Sequence, residues 1–275
     1  MTRRLNIWLL SLLIIVGIPY YWYLIDPDAG SGPGEVNAGT GQAAVTMPRL
    51  RALAAASGAP LPRALRVETV GERSISGNML VAGGGLRPVP TAVRAYQLVM
   101  PGTGPIVIDA GVAPEAVSAH DVEEFRPAAQ RRVELALRRA SAMVLLSDRP
   151  VHNGGKAPGA QHPPGDPALA PYALAPGVVV IPAAGLEPAT RMIYVRLAGG
   201  REYLFTGDVA KMDANWRKSR LPARFATRDE PPGFRRANLA WLTTINALHR
   251  AAPQMVIVSG HQPGKVPFSA GTFSD

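Results

Sequence analysis

Three apolar runs in this sequence end in residues that bind metals or take part in catalysis. One run ends at Asp208, another ends at His261, and a third, 143–155, carries His152 close to its end. Buried strands that stop at aspartate and histidine place carboxylate and imidazole groups at the rim of a sheet. Metal ions and catalytic groups commonly lie at such rims. The pattern therefore predicts a site assembled from the ends of several strands.

The rest of the sequence alternates between strand-like and helix-like segments. Apolar runs bounded by turn residues predict strands at 65–70, 92–100, 105–111, 143–146, 178–181, 192–197, 202–205 and 255–258. Helical spacing predicts helices at 48–58, 123–139 and 233–251, with Thr46 as the cap of the first. The proline- and glycine-rich stretch 156–176 is predicted to be a long irregular loop. Because helices lie between and after runs of strands, we expect two sheets sandwiched between helices.

The composition is that of a globular protein without thiol chemistry. Of the 275 residues, 47% are hydrophobic and 18% are charged, which excludes a disordered chain. A chain of this length can bury one large core or two small ones. The sequence has no cysteine, which excludes disulfide bonds, thiolate metal ligands and a cysteine nucleophile.

The formal net charge is +9, and nucleic acid is one class of partner that such a charge can serve. The arginines are spread along the chain, however, with only short pairs such as 131–132 and 235–236. No long basic run and no interleaved aromatic platform accompanies them. We therefore expect no nucleic-acid partner, and attraction to an anionic membrane surface explains the charge equally well.

The N-terminal segment has the length and composition of a membrane anchor. Residues 5–25 include no charged side chain. As a helix they span about 30 Å, the thickness of a bilayer core. Arg3 and Arg4 precede the segment, and Asp26 and Asp28 follow it. The positive-inside rule then predicts a cytoplasmic N-terminus and a soluble domain on the exterior, periplasmic in a bacterium.

Aromatic residues mark both ends of this segment, with Trp8 near one end and 20–23 near the other. A cleaved signal peptide is the alternative, but its apolar region is shorter and ends in small residues. An uncleaved, single-pass anchor is therefore our prediction. The predicted divisions are a cytoplasmic N-terminus (1–4), a transmembrane anchor (5–25), a flexible linker (26–45) and one α/β domain (46–275).

The order of the strand ends resembles the metallo-β-lactamase superfamily. Residues 106–111 resemble its early strand that ends in Asp-x-Gly, 178–208 resemble its central strands leading to Gly-Asp, and 256–261 resemble its terminal strand. The resemblance covers roughly 66–261. It implies an αββα sandwich, and in the superfamily these loops hold two zinc ions that activate a water molecule for hydrolysis.

The superfamily's ligand signature, His-x-His-x-Asp-His before Gly-Gly, is only partly present. With Gly154 and Gly155 as the reference, His152 matches the last histidine. The other positions of the signature hold Ser147, Arg149 and Val151, and the histidine of the central loop is replaced by Leu186. The resemblance therefore leaves three ligand positions: His152, Asp208 and His261. Two imidazoles and a carboxylate suit at most a single zinc or iron(II) ion.

Two of the three residues also have a purely structural alternative. Asp208 could cap the following turn, and His261 could be an ordinary loop histidine. Asp109 is expected to fix a turn, whereas Asp148 is a weaker candidate ligand. These alternatives leave open whether a metal is bound at all.

Arg149 places a fixed positive charge where a histidine ligand stands in the superfamily. We expect its guanidinium to replace part of the metal charge and to bind a carboxylate or phosphate. Two functions follow. One is a membrane-anchored hydrolase with a reduced metal site, in which Asp208 and Arg149 act on a small ester, amide or lactone. The alternative is a non-catalytic binding protein on the same fold.

Overall fold

A computed structural model describes residues 2–25, 45–154, 170–187 and 189–273. The predicted linker, 26–45, lies outside the described residues except for Val45. Most of the predicted loop 156–176 lies outside them as well.

Two mixed β-sheets form the centre of the domain. The first sheet has the order β1-β2-β3-β4, and the second has the order β5-β6-β7-β8-β9. In each sheet the final pair, β3 with β4 and β8 with β9, is parallel, whereas the other pairs are antiparallel. The strands are β1 (Ala64–Ser76), β2 (Pro88–Val99), β3 (Ile106–Ile108), β4 (Ala142–Val144), β5 (Tyr172–Ala175), β6 (Val178–Pro182), β7 (Arg191–Arg196), β8 (Glu202–Gly207) and β9 (Val256–Ser259).

Helices cover the outer faces of both sheets. The α-helices of the described residues are α1 (Thr2–Tyr20), α2 (Met47–Ala55), α3 (Gly77–Leu80), α4 (Pro127–Arg139), α5 (Pro150–Asn153), α6 (Asp213–Lys218) and α7 (Phe234–Ala251). Buried apolar residues of α4 pack on the first sheet, and those of α2 and α7 pack on the second. A third cluster, including Tyr96, Phe205 and Ile193, fills the space between the sheets. The layers are thus helix, sheet, sheet and helix, as predicted.

Most predicted elements are present, and the differences have local causes. The helix predicted over 123–139 begins only at Pro127, because the backbone N–H groups of Glu123 and Arg126 donate to carbonyls of β1 instead. β1 extends beyond the predicted 65–70 through a bulge at Thr69/Gly71. The stretch predicted to be irregular contains β5, which pairs with β6.

The N-terminal segment is helical, with a π-helical turn (Tyr21–Ile25) following α1. Its length and composition suit a membrane span, and a signal sequence near the N-terminus would satisfy the same criteria. Its end contacts the domain at two points: Gly83 N–H donates to Leu24 O at 2.8 Å, and the Arg224 guanidinium lies 4.1 Å from the centre of the Trp22 ring. The apolar side chains of α1 are otherwise largely exposed.

Candidate metal site

The two parallel strand pairs bring the chemically active residues to one rim of the sandwich. Asp109 directly follows β3, His152 lies on α5 after β4, Asp208 follows β8, and His261 lies just after β9. Parallel neighbours end at the same edge of their sheet. The strand ends recognised in the sequence therefore converge because each sheet finishes in a parallel pair.

His152, Asp208 and His261 offer ligand atoms that all lie within 4.8 Å of one another. His152 Nε2 is 3.6 Å from Asp208 Oδ2, and His261 Nε2 is 3.3 Å from Asp208 Oδ1. The two imidazole rings are 5.2 Å apart between centroids. The structure thus groups the three residues named from the sequence, whereas their role as ligands stays a prediction.

Asp109 fixes the position of His152. Its backbone is left-handed, with φ of 62°. One carboxylate oxygen accepts Leu146 N–H at 2.8 Å, and the other lies 2.7 Å from His152 Nδ1. Because a carboxylate can only accept, His152 carries a proton on Nδ1 and directs Nε2 at Asp208. Asp109 therefore fixes a turn, as predicted, and also orients an imidazole.

The turn after α5 needs a residue without a side chain. Gly154 adopts a left-handed φ of 57°, and a Cβ there would lie 2.6 Å from Ala110 O. The close approach lets Ala110 N–H donate to His152 O at 2.7 Å. Gly154 thereby ties the His152 turn to the end of β3, and its partner Gly155 lies outside the described residues.

Both imidazoles have oxygen acceptors on both ring nitrogens. His152 faces Asp109 and Asp208, and His261 faces Ala92 O at 3.3 Å and Asp208 at 3.3 Å. A neutral imidazole has one N–H to donate. With its one proton on Nδ1, a neutral ring turns the lone pair of Nε2 towards the oxygens of Asp208, and a proton or a cation at Nε2 would relieve this repulsion. This arrangement fits a metal ion between the two Nε2 atoms and Asp208.

Two buried atoms at this point lack a hydrogen bond among the described residues: His152 Nε2 and Asp208 Oδ2. Buried polar atoms without partners are uncommon in native proteins and often mark an ion or water site. Two imidazoles and one carboxylate are ligands that zinc and iron(II) accept. The residues present therefore fit a single metal ion.

The charges of the group are strongly coupled. Burial opposes the charged form of His152, but attraction to Asp109 and Asp208 raises its pKa to about 10. Burial also opposes ionisation of Asp208, yet His152 and His261 hold the pKa of that carboxyl well below its ordinary value. Burial lowers the pKa of His261. Without a metal, the site therefore holds an ionised Asp208 beside a protonated His152.

Arg149 lies at the mouth of this group. Its Nε donates to Glu187 at 2.8 Å and lies 3.6 Å from Asp208 Oδ2, and its Nη2 donates to Glu230 at 2.8 Å. Burial disfavours the charged guanidinium, but these carboxylates raise its pKa. Arg149 therefore places a permanent positive charge beside Asp208 and joins two loops across the opening.

Two further cations near Asp208 were not recognised in the sequence. Attraction to Asp208 acts on both Lys211 and Arg73, although burial has the larger effect and lowers the pKa of each. Lys211 also fixes the chain locally, because its carbonyl accepts His261 N–H at 2.8 Å. The sequence could have placed Lys211 near Asp208, because it lies only three positions further along the chain. Nothing in the sequence could have placed Arg73 there, because it lies on a distant strand.

The remaining candidates lie elsewhere. Asp148 is exposed, and its carbonyl accepts Asn153 Nδ2, so it does not join the group. Val151 and Leu186, which replace ligands of the signature, are buried in hydrophobic clusters. Ser147 accepts Arg149 N–H and supports the turn. Apolar packing thus occupies the two positions at which the resemblance would place metal ligands.

These observations define a class of protein: a two-sheet αββα sandwich whose strand ends form a metal-type site at one rim. The chain has the metallo-β-lactamase fold, as expected. No protein-family model and no curated protein matches the sequence. Similar folds are found among solved structures, at low sequence identity.

One similar structure is a quorum-quenching N-acyl homoserine lactone lactonase, with a TM-score of 0.59 and 14% identity over 74% of this chain and 93% of that chain. A probable metal-dependent hydrolase from Staphylococcus aureus has a TM-score of 0.55 and 9% identity, over 74% and 91%. AidC, a dizinc quorum-quenching lactonase, has a TM-score of 0.54 and 11% identity, over 76% and 90%. At such identities the likeness establishes the fold.

Proposed function

We propose that this protein is a membrane-anchored hydrolase with a single-metal site held by His152, Asp208 and His261. The observation that carries the proposal is the facing of two Nε2 atoms and one carboxylate around a common point, with both imidazoles oriented from behind by oxygen acceptors. Zinc is the first candidate and iron(II) the second. N-acyl lactones are the first substrates to test, because two of the similar structures are lactonases.

A bound metal would supply a Lewis acid and an activated water at neutral pH. The protein's own residues prepare the site for it. Asp109 retains the Nδ1 proton of His152, and Ala92 O accepts the Nδ1 proton of His261, so that both Nε2 atoms present lone pairs. Asp208 contributes an ionised carboxylate.

Arg149 is suited to bind the polar end of a substrate. The cavity beside it, lined by Glu187, Asp208, Lys211 and Glu230 among others, has about 20 Å³ of free space, enough for roughly one water molecule. A larger substrate must therefore displace one of the carboxylates that Arg149 holds. A carboxylate or a lactone carbonyl of the substrate would then take the place of that protein carboxylate on the guanidinium.

Metal content is the first measurement. The full chain, purified in detergent without chelator and supplied with zinc, is analysed by elemental mass spectrometry. We expect about one metal per chain, retained in His249→Ala and lost in His152→Ala and His261→Ala. His249 is a suitable control because it is a histidine that packs on Trp216, away from the group.

Hydrolysis is measured on the same preparations, with N-acyl homoserine lactones of several chain lengths in a pH-stat. Activity that follows metal content across the variants supports the proposal. A folded wild-type chain that binds no zinc and no iron would refute it and would favour the non-catalytic binding protein. A metal-loaded chain without activity on esters, amides or lactones would refute the hydrolase and leave the metal site.

The anchor is a separate part of the proposal. The apolar segment Arg3–Ile25 and the flanking charges support a single-pass orientation with the domain on the exterior. A C-terminal alkaline phosphatase fusion, active only outside the cytoplasm, tests the orientation in a bacterial host. N-terminal sequencing of the mature protein distinguishes an anchor from a cleaved signal peptide.

A further inference from the structure

An arginine-lined cleft lies between the short 3-10 helix Arg224–Thr227 and the start of α7. Its volume is about 430 Å³. Arg224, Arg235 and Arg236 supply its charge, and Thr227, Phe234 and Leu239 also line it. No acidic side chain is among the described residues that line the cleft. A concave surface with three guanidinium groups and an apolar wall suits an amphiphilic anion.

The cleft adjoins the end of the N-terminal helix. The guanidinium of Arg224 stacks on the ring of Trp22, and the carbonyl of Leu24 accepts Gly83 N–H. Trp22 belongs to the aromatic group 20–23, and such groups lie at the headgroup level of a bilayer. If the segment spans a membrane, Arg224 and the cleft beside it lie at the depth of the lipid headgroups.

The guanidinium of Arg235 is held in place by the fold. Arg235 Nη1 donates to Pro222 O at 2.9 Å and to Thr227 Oγ1 at 2.6 Å, while Arg236 is exposed. Thr227 in turn donates to Arg224 O at 3.2 Å. A guanidinium held in this way loses little freedom on binding, and its planar donors match phosphate oxygens.

Two exposed apolar side chains lie on the segments that contact the helix end. Leu86 is 65% exposed and follows the Gly83 turn, and Phe225 is 40% exposed and follows Arg224. Basic residues interspersed with exposed large apolar residues are typical of surfaces that rest on a membrane. Each of the two apolar residues lies within three positions of a residue that contacts the end of the helix.

We propose that this cleft binds the phosphate headgroup of an anionic phospholipid in the membrane that holds the anchor. The inference rests on the proposed anchor and does not depend on the metal. Phe234 lines both this cleft and the cavity beside Arg149. A bound headgroup therefore lies one side chain away from the candidate site and holds its opening close to the membrane surface.

The test uses the full chain in nanodiscs or mild detergent, with native mass spectrometry to count retained lipids. Phosphatidylglycerol is compared with phosphatidylcholine. Arg235→Gln/Arg236→Gln removes two charges from the cleft, and Arg236→Gln alone keeps the hydrogen bonds of Arg235 in case the double variant folds poorly. The matched control is Arg131→Gln/Arg138→Gln, two exposed arginines on α4.

We expect the wild type and the control to retain phosphatidylglycerol in preference to phosphatidylcholine. Affinity should fall about fivefold for each cleft arginine removed. Equal retention of the two lipids, or equal loss in the control, refutes the proposal. Displacement of the lipid by millimolar inorganic phosphate would instead show a site for soluble anions and would also refute it.

Carbonate extraction of membranes separates this inference from the proposed function. A chain released by carbonate would refute the anchor and, with it, the headgroup site. A chain that remains in the membrane but shows no preference for phosphatidylglycerol would refute the headgroup site alone. Metal content, measured on the same preparation, reports on the proposed enzyme independently of both outcomes.

Discussion

The substitution Asp109→Asn tests how the site is built, because it changes hydrogen bonding with almost no change in shape. Asn tolerates the left-handed backbone at this position, and its carbonyl oxygen can still accept Leu146 N–H. Its amide NH₂ would face His152 Nδ1, however, where the carboxylate now accepts. His152 would then accept at Nδ1 and carry its proton on Nε2, the atom required for the metal.

The expected loss follows from the loss of this orienting contact. Removing a partner behind a metal-bound histidine typically weakens metal affinity about 10–100-fold, equivalent to about 1.4–2.7 kcal/mol. A ligand that binds only the folded state stabilises the protein, and the gain grows with the logarithm of the ligand concentration divided by Kd. The zinc-dependent increase in stability should therefore shrink by the same amount, or roughly 3–10 °C in Tm for a domain of this size.

The assay is thermal unfolding of the full chain in detergent with and without zinc, combined with zinc titration against a competing chelator. The quantity compared is the increase in Tm that zinc causes, because this difference cancels any effect of the substitution on the metal-free protein. Glu68→Gln is the matched control: Glu68 is a buried carboxylate that accepts Arg132 and Phe273 N–H far from the site. The control should lower Tm and keep the zinc increment. A folded Asp109→Asn chain with unchanged zinc affinity would show that Asp109 does not determine the tautomer.

Three further predictions address charge, backbone and pH. Arg149→Gln removes a positive charge 3.6 Å from Asp208 and should tighten zinc binding about tenfold, measured by chelator competition. It should also raise the KM for a lactone whose carbonyl the guanidinium would bind. Weaker zinc binding would contradict the idea that Arg149 replaces part of the metal charge. Gly154→Ala places a Cβ 2.6 Å from Ala110 O and should cost more than about 2 kcal/mol in urea unfolding, whereas Gly199→Ala, with open space around it, should cost less than about 1 kcal/mol. Hydrogen bonds from Arg51 and Tyr194 lower the pKa of Glu202 in the folded state. Its contribution to folding stability is therefore complete above the pKa of the unfolded chain and is lost as the pH falls through the pKa of the folded state. The difference in Tm between wild type and Glu202→Gln should therefore be full at pH 7 and shrink below about pH 4; a difference independent of pH would contradict this coupling.

The strand ends could be read from the sequence because each is a local pattern. A buried strand is a continuous apolar run, and the residue that ends it is visible in the same window, as at Asp208 and His261. The convergence of these ends came from the resemblance, and the structure explains it by the parallel pairs β3/β4 and β8/β9. Local pattern and pairing together therefore account for the predicted trio.

The missed residues belong to segments without such a pattern. The second half of β1 carries Glu72 and Arg73 after the Gly71 bulge, and its polar sequence gives no strand signal. Because that half of the strand was not predicted, Arg73 could not be placed near Asp208. Glu230 lies in a turn between two helical elements and contacts Arg149 only through the tertiary fold. The partners of such an ion pair are far apart in the chain, so no local pattern in a single sequence identifies them.

In the proposed site, an exchangeable metal charge would lie beside the permanent charge of Arg149. Asp208 presents one oxygen to His261 and the other to both His152 and Arg149. A metal held by the three residues would therefore share the Asp208 carboxylate with the guanidinium of Arg149. Metal occupancy would weaken the hold of Asp208 on Arg149, while Glu187 and Glu230 keep the guanidinium at the opening. Arg149 would thus keep its charge whatever the zinc supply, which a second zinc ion could not do, and the predicted binding of a polar substrate group rests on this permanent charge.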